Sequence, residues 1–72
     1  MDHVKVNGIY QHFKGNTYRV LGVAKHSESL EELVVYQHID GDKEIWARPI
    51  NMFLDEVEKD GNKIPRFKYI SD

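Results

Sequence analysis

The chain has 72 residues, with ten basic and twelve acidic side chains for a formal net charge of −2, and it contains no cysteine. A chain of this length forms one small domain, whose core supplies only about 3 to 5 kcal/mol without crosslinks. The lack of cysteine excludes disulfides and thiolate sites, and the slightly acidic balance excludes a general attraction to phosphate backbones or anionic lipid, leaving only local basic patches. We expect a single domain over residues 1–72, with 1–7 frayed.

The N-terminal segment predicts no export signal, because it lacks a basic region followed by an apolar run of about 7 to 15 residues. No apolar run approaches the roughly 20 residues that a membrane-spanning helix needs. We therefore expect a cytoplasmic protein without a membrane partner.

Three turn signals divide the chain, at Gly15-Asn16, Gly41-Asp42 and Asp60-Gly61-Asn62, with the spacing of a small all-β fold. The first signal predicts a hairpin between strands 9–14 and 17–26 with a two-residue type II′ turn. That register pairs Phe13 with Tyr18. It sets Ile9, Phe13, Tyr18 and Val20 on one face, and Tyr10, His12, Arg19 and Leu21 on the other.

Residues 26–32, HSESLEE, are polar and acidic. Ser29 and Glu32 have the spacing of a helix capping box, which predicts either one helical turn or a solvated loop.

The second signal predicts a hairpin between strands 33–39 and 44–48. A two-residue turn pairs Gln37 with Trp46 and Val35 with Arg48, so that Trp46 and Arg48 share a face. The opposite face, which we expect to face the core, holds Val34, Tyr36, His38, Ile45 and Ala47. A change of one residue in loop length would exchange the two faces of the second strand.

Pro49 predicts a short 3₁₀ turn over 49–53 that delivers Met52 and Phe53 to the core. A strand or extended arm over 54–59 follows, and then a closing strand over 63–70 that Pro65 confines to an edge or bend. About five short strands with a 3₁₀ turn before the last one predict a small SH3-like barrel or roll, with an OB-type barrel as the poorer alternative.

Few residues combine into a recognisable catalytic or metal site. His26-Ser27 is the only adjacent base–hydroxyl pair, and neighbours on a strand point to opposite sides. The four histidines at positions 3, 12, 26 and 38 match no recurrent ligand spacing, and the five glycines build no phosphate-binding loop. We expect no catalytic residue, no metal and no cofactor.

Aromatic and basic residues do interleave, in the first hairpin, around Trp46 and Arg48, and over 66–69. Small barrels use such faces to hold peptides or to stack bases. The alternative is that the aromatic rings form the core. We favour the core for Phe13, Tyr18, Phe53 and Phe67, and leave Tyr36 and Trp46 open.

Six blocks of the sequence, in order, resemble a family of short bacterial proteins known as the domain of unknown function DUF1653. The blocks are HFKGN at 12–16, AKHSES at 24–29, VVYQ at 34–37, WARP at 46–49, MF at 52–53 and PRF at 65–67. The resemblance implies an SH3-like β-barrel or roll and no established activity. Ala47 departs from the valine that is usual within the Trp-x-Arg-Pro block, which alters packing and not chemistry.

Five of the residues that carry this resemblance have no evident role in turns or core: His26, Ser27, Glu28, Arg48 and Arg66. Together with Tyr36 and Trp46 they are the candidate ligand-binding residues. The first hypothesis is a non-enzymatic binding module for a peptide, protein or small ligand, with a groove of Trp46, Tyr36 and Arg48 and residues 26–28 at its rim. The alternatives are a single-stranded nucleic-acid module and a small enzyme that uses residues 26–28 with Arg48. A monomer and a homodimer both remain open.

Overall fold

The structure is a computed structural model that describes residues 4–41 and 43–72. Within these ranges the chain forms seven strands and one helical turn, which confirms the all-β class. The elements in chain order are β1 (Ile9–His12), β2 (Thr17–Lys25), β3 (Glu32–His38), β4 (Ile45–Pro49), α1 (Ile50–Phe53), β5 (Glu56–Lys59), β6 (Asn62–Pro65) and β7 (Phe67–Ser71).

Two antiparallel sheets are built from these strands. The larger has the order β4-β3-β2-β1-β7, and the smaller contains β5 and β6. Strands β4 and β7 end the larger sheet and do not pair with each other in the described part of the chain, so the sheet does not close into a barrel. A specific relation to SH3-like barrels stays a prediction.

The larger sheet curls strongly, although it does not close. Phe67 on the edge strand β7 lies with its ring 5.5 Å from that of Tyr36 on β3, and two strands separate these elements in the sheet. Arg48, on the opposite edge strand, lies over the same Phe67 ring. Side chains thus bridge the two edges of the sheet across its concave side.

The first hairpin forms with a different register from the predicted one. Tyr10 pairs with Tyr18 and Ile9 with Arg19, because the connection takes four residues, 13–16, and not two. The partner of Tyr18 is Tyr10 and not Phe13, a shift of three residues, and because this shift is odd, β1 turns its other face inward. Tyr10 is therefore in the core, whereas Phe13 lies in the turn and outside the buried cluster.

The second hairpin is also shifted, by one residue. Tyr36 pairs with Trp46 and Val34 with Arg48. The prediction that Val34 and Tyr36 face the core is confirmed, but Trp46 and Arg48 join their face, and the prediction that Ile45 and Ala47 face inward is wrong. The predicted turn includes Asp42, which lies outside the described residues.

The acidic segment between β2 and β3 is a loop with no helix assigned to it, and the capping box does not form. Ser29 Oγ accepts a hydrogen bond from the Glu31 N–H at 3.2 Å, and not from Glu32. His26 closes the loop through its backbone, since its N–H donates to Glu31 O at 2.8 Å and its carbonyl accepts from Leu30 N at 2.9 Å.

The segment after Pro49 is a single α-type turn and not a 3₁₀ turn, because Leu54 N donates to Ile50 O, four residues earlier, at 3.0 Å. Phe53 is fully buried as predicted, but Met52 is 53% exposed, so its predicted place in the core is wrong. The expected arm is β5. The expected closing strand is divided at Arg66 into β6 and β7.

Strands β5 and β6 form a hairpin whose two-residue turn is Asp60-Gly61, as the third turn signal predicted. Both residues have positive φ, 54° and 83°, the combination that a type I′ turn requires. Glycine adopts this conformation without strain, and aspartate tolerates it.

The core is a small aromatic cluster on the concave face. The Phe53 and Phe67 rings stack with centroids 4.2 Å apart, and Tyr10 and Tyr36 meet Phe53 at 5.3 and 5.5 Å. The predicted core positions of Phe53 and Phe67 are confirmed. The buried residues are Tyr10, Val20, Val34, Tyr36, Phe53 and Phe67. Of the described residues, none belongs to a helix long and apolar enough to cross a membrane.

Candidate functional site

The turn between β1 and β2 is organised around His12. Its N–H donates to Asn16 O and its carbonyl accepts from Gly15 N, both at 2.7 Å. Its ring atom Nδ1 accepts from Lys14 N at 3.2 Å. Because Nδ1 acts as an acceptor, the neutral ring carries its proton on Nε2. The turn also needs the positive φ of Gly15, 110°, which side chains rarely adopt.

A cleft of about 370 Å³ lies between this turn and the junction of β6 and β7. The Phe13 N–H donates to Arg66 O at 2.9 Å and so holds the two segments together. Two of the lining side chains, His12 and Lys68, can carry positive charge, and no carboxylate is among the lining residues. They are Gln11, His12, Phe13, Gly15, Ile64, Pro65 and Lys68.

The environment of His12 disfavours its protonated form. Burial lowers the pKa of His12 below its usual 6.5, and the positive charges of Arg48, Arg66 and Lys14 lower the pKa further. Its ring packs edge-on against Phe67 at 4.9 Å. His12 is therefore neutral at pH 7, in a local field that is positive despite the net negative charge of the chain.

Arg48 reaches across the concave face towards His12's neighbour Phe67. Its guanidinium carbon lies over the Phe67 ring, 5.4 Å from the centroid, and its Nε donates to the Tyr36 hydroxyl at 3.4 Å. Among the ion pairs of residues 4–41 and 43–72, none joins a carboxylate to Arg48. Its charge is therefore offset by a ring face and a neutral hydroxyl, which leaves it attractive to an anion.

Arg66 is held differently. Its Nε and Nη2 donate to the two carboxylate oxygens of Asp55, at 2.7 and 3.3 Å. The hydrogen bonds to Asp55 raise the pKa of Arg66, so the guanidinium stays charged. A backbone bond from Arg66 N to Asp55 O, at 3.0 Å, ties the start of β5 to the end of β6. Arg66 thus has a structural partner that the sequence did not reveal.

Three of the predicted site residues share one face of the sheet, namely Tyr36, Trp46 and Arg48. Tyr36 is buried among the core rings, where its hydroxyl orients Arg48, while Trp46 is 51% exposed. This group lies close to the His12 side chain, because Arg48 and His12 both pack on Phe67.

The other predicted residues, 26–28, lie in the loop beyond the pairing of Lys25 with Glu32. His26 Nδ1 accepts from the N–H groups of Glu28 and Ser29, at 3.1 and 3.3 Å, so this ring stabilises its own loop. In the described part of the chain, no hydrogen bond, ion pair or ring contact joins 26–28 to Tyr36, Trp46 or Arg48. None joins His26 to Ser27 Oγ or to a carboxylate, so the geometry of a catalytic pair does not form there.

His12 is the site residue that sequence reasoning missed, since it was assigned to a strand surface. A signal was present in the aromatic and basic run His12-Phe13-Lys14. The predicted absence of a metal site concerned four histidines, of which His3 lies outside the described residues. Among the residues that are described, no group of three or more His, Asp or Glu side chains could hold a metal ion.

Fold and site together define a small all-β domain with two antiparallel sheets and a cleft of aromatic and basic residues. The chain belongs to the family described as protein of unknown function (DUF1653), whose model matches residues 8–69. The chain is similar to a DUF1653 protein from Bordetella bronchiseptica whose crystal structure is known. The identity is 29%, the match covers 93% of this chain and 88% of the other, and the TM-score is 0.83. No curated protein matches the chain.

Proposed function

We propose that the protein is a non-enzymatic binding module whose cleft beside His12 takes an anionic ligand, either a small molecule or a segment of a peptide. One observation carries this assignment: the cleft combines apolar walls with basic groups and has no carboxylate in its lining. Its volume of about 370 Å³ falls within the usual range of small-molecule sites.

The apolar walls come from Phe13, Ile64 and Pro65. They suit the aliphatic or aromatic part of a ligand, whereas Lys68 and the Nε2–H of His12 suit a carboxylate or phosphate oxygen. Lys14 lies over the Phe13 ring, 5.9 Å from its centroid, and adds to the positive potential. The recognition is therefore amphipathic, with an anionic group attached to an apolar one.

The predicted residues take separate roles in this proposal. Arg48 supplies long-range attraction from the concave face, and Tyr36 orients it. Arg66 holds the cleft wall through Asp55 and through its carbonyl bond to Phe13. Trp46 extends the aromatic surface beside Arg48. Residues 26–28 are not assigned to this cleft, because their contacts lie within their own loop.

The test is a titration followed by amide chemical shifts, with benzoate and inorganic phosphate as probes. We expect benzoate to shift the amides of Gln11, Phe13 and Lys68 and to bind more tightly than phosphate, because only benzoate also fills the apolar walls. Lys68→Ala should weaken benzoate binding about ten-fold, as loss of a charged hydrogen bond does. Lys59→Ala, on exposed β5 outside the cleft, is the matched control.

Benzoate binding should also strengthen as the pH falls towards the lowered pKa of His12, because the anion favours the protonated form of His12. Shifts that avoid the cleft, or equal losses in Lys68→Ala and Lys59→Ala, would contradict the assignment. Binding of single-stranded oligonucleotide that weakens steeply with salt, without any response to benzoate, would favour the nucleic-acid alternative instead.

A further inference from the structure

The outer edge of β4 offers unpaired backbone groups to solvent. His38 N donates to Glu44 O at 3.4 Å, in the same register that pairs Tyr36 with Trp46 and Val34 with Arg48. In an antiparallel pair such hydrogen-bonded positions alternate with positions whose backbone groups point away. Ile45 and Ala47 therefore direct their N–H and C=O groups outward, where no other described strand meets them.

The segment 45–47 of this edge carries no charged side chain, no proline and no bulge, which are features that usually prevent edge-to-edge pairing. Ile45 is 62% exposed and Trp46 51% exposed. Pro49 ends the strand at a position that would point its N–H outward, which is where proline is tolerated. The opposite edge, β7, carries Lys68 in the strand itself. An exposed apolar edge of this kind favours strand pairing.

We propose that a second copy of this chain pairs antiparallel with β4 about a two-fold axis at Trp46. In that register Ile45 lies opposite Ala47 of the second copy, and the reciprocal pair forms as well. The outward groups of these two pairs then make four N–H···O bonds. Trp46 lies opposite its own copy at a close, non-hydrogen-bonded position, where Cα atoms are about 4.5 Å apart and side chains pack well.

Charge complementarity selects this register. Glu44, Trp46 and Arg48 share one face, so an axis at Trp46 brings Glu44 opposite Arg48 of the second copy, twice. Opposite charges at directly paired positions stabilise a sheet. An axis at Ala47 would place Ile45 opposite Pro49, which has no N–H to donate, and Trp46 opposite Arg48. An axis at Ile45 would place Glu44 opposite Trp46. That axis also needs Lys43 to pair with Ala47, although the φ of Lys43, 58°, is not that of a strand. The axis at Trp46 forms its hydrogen bonds within residues 45–47 and also pairs the opposite charges.

The contact is short, so the dimer should depend on concentration. We expect the mass measured by sedimentation equilibrium to rise towards twice that of the chain between about 10 μM and 1 mM. Hydrogen exchange at the Ile45 and Ala47 amides should slow over the same concentrations, and the exchange of amides on the outer edge of β7 should not change.

Ala47→Pro removes an outward N–H and leaves the bonds to β3 in place, so it should give a monomer with an unchanged circular dichroism spectrum. Ala47→Ser, which keeps the N–H, is the matched control and should still dimerise. Glu44→Lys sets like charges opposite each other and should raise the dissociation constant at least about ten-fold.

A monomer at about 1 mM would overturn the inference. A dimer that neither Ala47→Pro nor Glu44→Lys weakens would also overturn it, because the copies would then meet elsewhere. If Ala47→Pro fails to fold, the concentration dependence of amide exchange in the unaltered chain decides. If the protein stays monomeric and extended peptides bind to the edge of β4, the occupant of this edge is a peptide and not a second copy, and the proposed pairing is refuted.

Discussion

The strength of the ion pair between Arg66 and Asp55 tests whether Arg66 has a structural role. The perturbation is a double-mutant cycle of Asp55→Asn, Arg66→Gln and both together. Both substitutions remove the charge; Asp55→Asn keeps the size of the side chain, and Arg66→Gln shortens it while keeping a polar end. The backbone bond from Arg66 N to Asp55 O remains in all four proteins, so the cycle isolates the side-chain contact.

The expected coupling free energy follows from the geometry. The Nε to Oδ1 distance of 2.7 Å is that of a strong charge-assisted hydrogen bond, and the Nη2 to Oδ2 distance of 3.3 Å adds a weaker one. The side chains are 28% and 36% exposed, so solvent screens the pair and places it at the upper end of the range for surface pairs, about 1 kcal/mol. For a domain of this size, about 1 kcal/mol corresponds to roughly 4 to 8 °C in Tm.

Urea unfolding followed by circular dichroism measures the four free energies of unfolding. The coupling should decrease in about 1 M salt, because screening acts on the exposed part of the pair. A coupling below about 0.3 kcal/mol is within the error of independent sites and would refute the reasoning. In that case Arg66 would again be available as a ligand-binding residue.

Two further outcomes are expected. Because the pKa of His12 is lowered in the folded state, the unfolded chain takes up the proton first as the pH falls below 6.5, so the free energy of unfolding should fall on acidification and level off below the pKa of the folded state. His12→Gln should remove this part of the loss, which urea unfolding between about pH 7.5 and 5.5 measures. An unchanged pH profile in the variant would contradict this prediction. Phe53→Leu should cost about 1 to 2 kcal/mol, and Phe53→Ala about 3 to 5 kcal/mol, enough to leave the chain unfolded in a thermal melt. The neighbouring Met52→Ala, on an exposed side chain, should change stability by less than about 0.5 kcal/mol, and an equal cost at both positions would be inconsistent with the packing.

Local chemistry predicted much of the fold. Asp60-Gly61 gave the third turn correctly, because its residue types favour two successive positive φ angles. Pro49 ended a strand, and large apolar side chains identified Phe53 and Phe67 as core residues. The alternation in β3 placed Val34 and Tyr36 on the buried face. Each of these inferences depends on one residue or on one short segment.

The registers of two hairpins could not be predicted in this way. Gly15-Asn16 has the composition of a two-residue turn, but His12 hydrogen-bonds both Gly15 and Asn16 and so lengthens the connection to four residues. The connection between β3 and β4 is longer still. Because side chains alternate with a period of two, an odd error in register, here three residues in the first hairpin and one in the second, moves a whole strand face from core to solvent. Ile45 and Tyr10 were misplaced for this reason.

The site was predicted only in part for a related reason. Arg48 was identified by elimination, since no turn or core role accounted for it, and Trp46 was identified as an aromatic residue left open between core and ligand surface. The pKa of His12 is lowered first by burial and then by Arg48 and Arg66, which lie far away in the chain and approach His12 only in the folded domain. Conversely, the partner of Arg66 is Asp55, across the β5–β6 hairpin. The sequence indicated this hairpin but did not show which of its residues pair.

The place of Phe67 in the chain has a consequence for biosynthesis. This residue begins the last strand, yet its ring contacts those of Tyr18, Tyr36 and Phe53 from three earlier elements. In a nascent chain the sides of these rings that face Phe67 therefore stay uncovered until β7 pairs with β1. Such contacts, distant in sequence, delay folding and leave apolar surface open to chaperones and proteases. The aromatic core of this domain is thus complete only when β7 is in place.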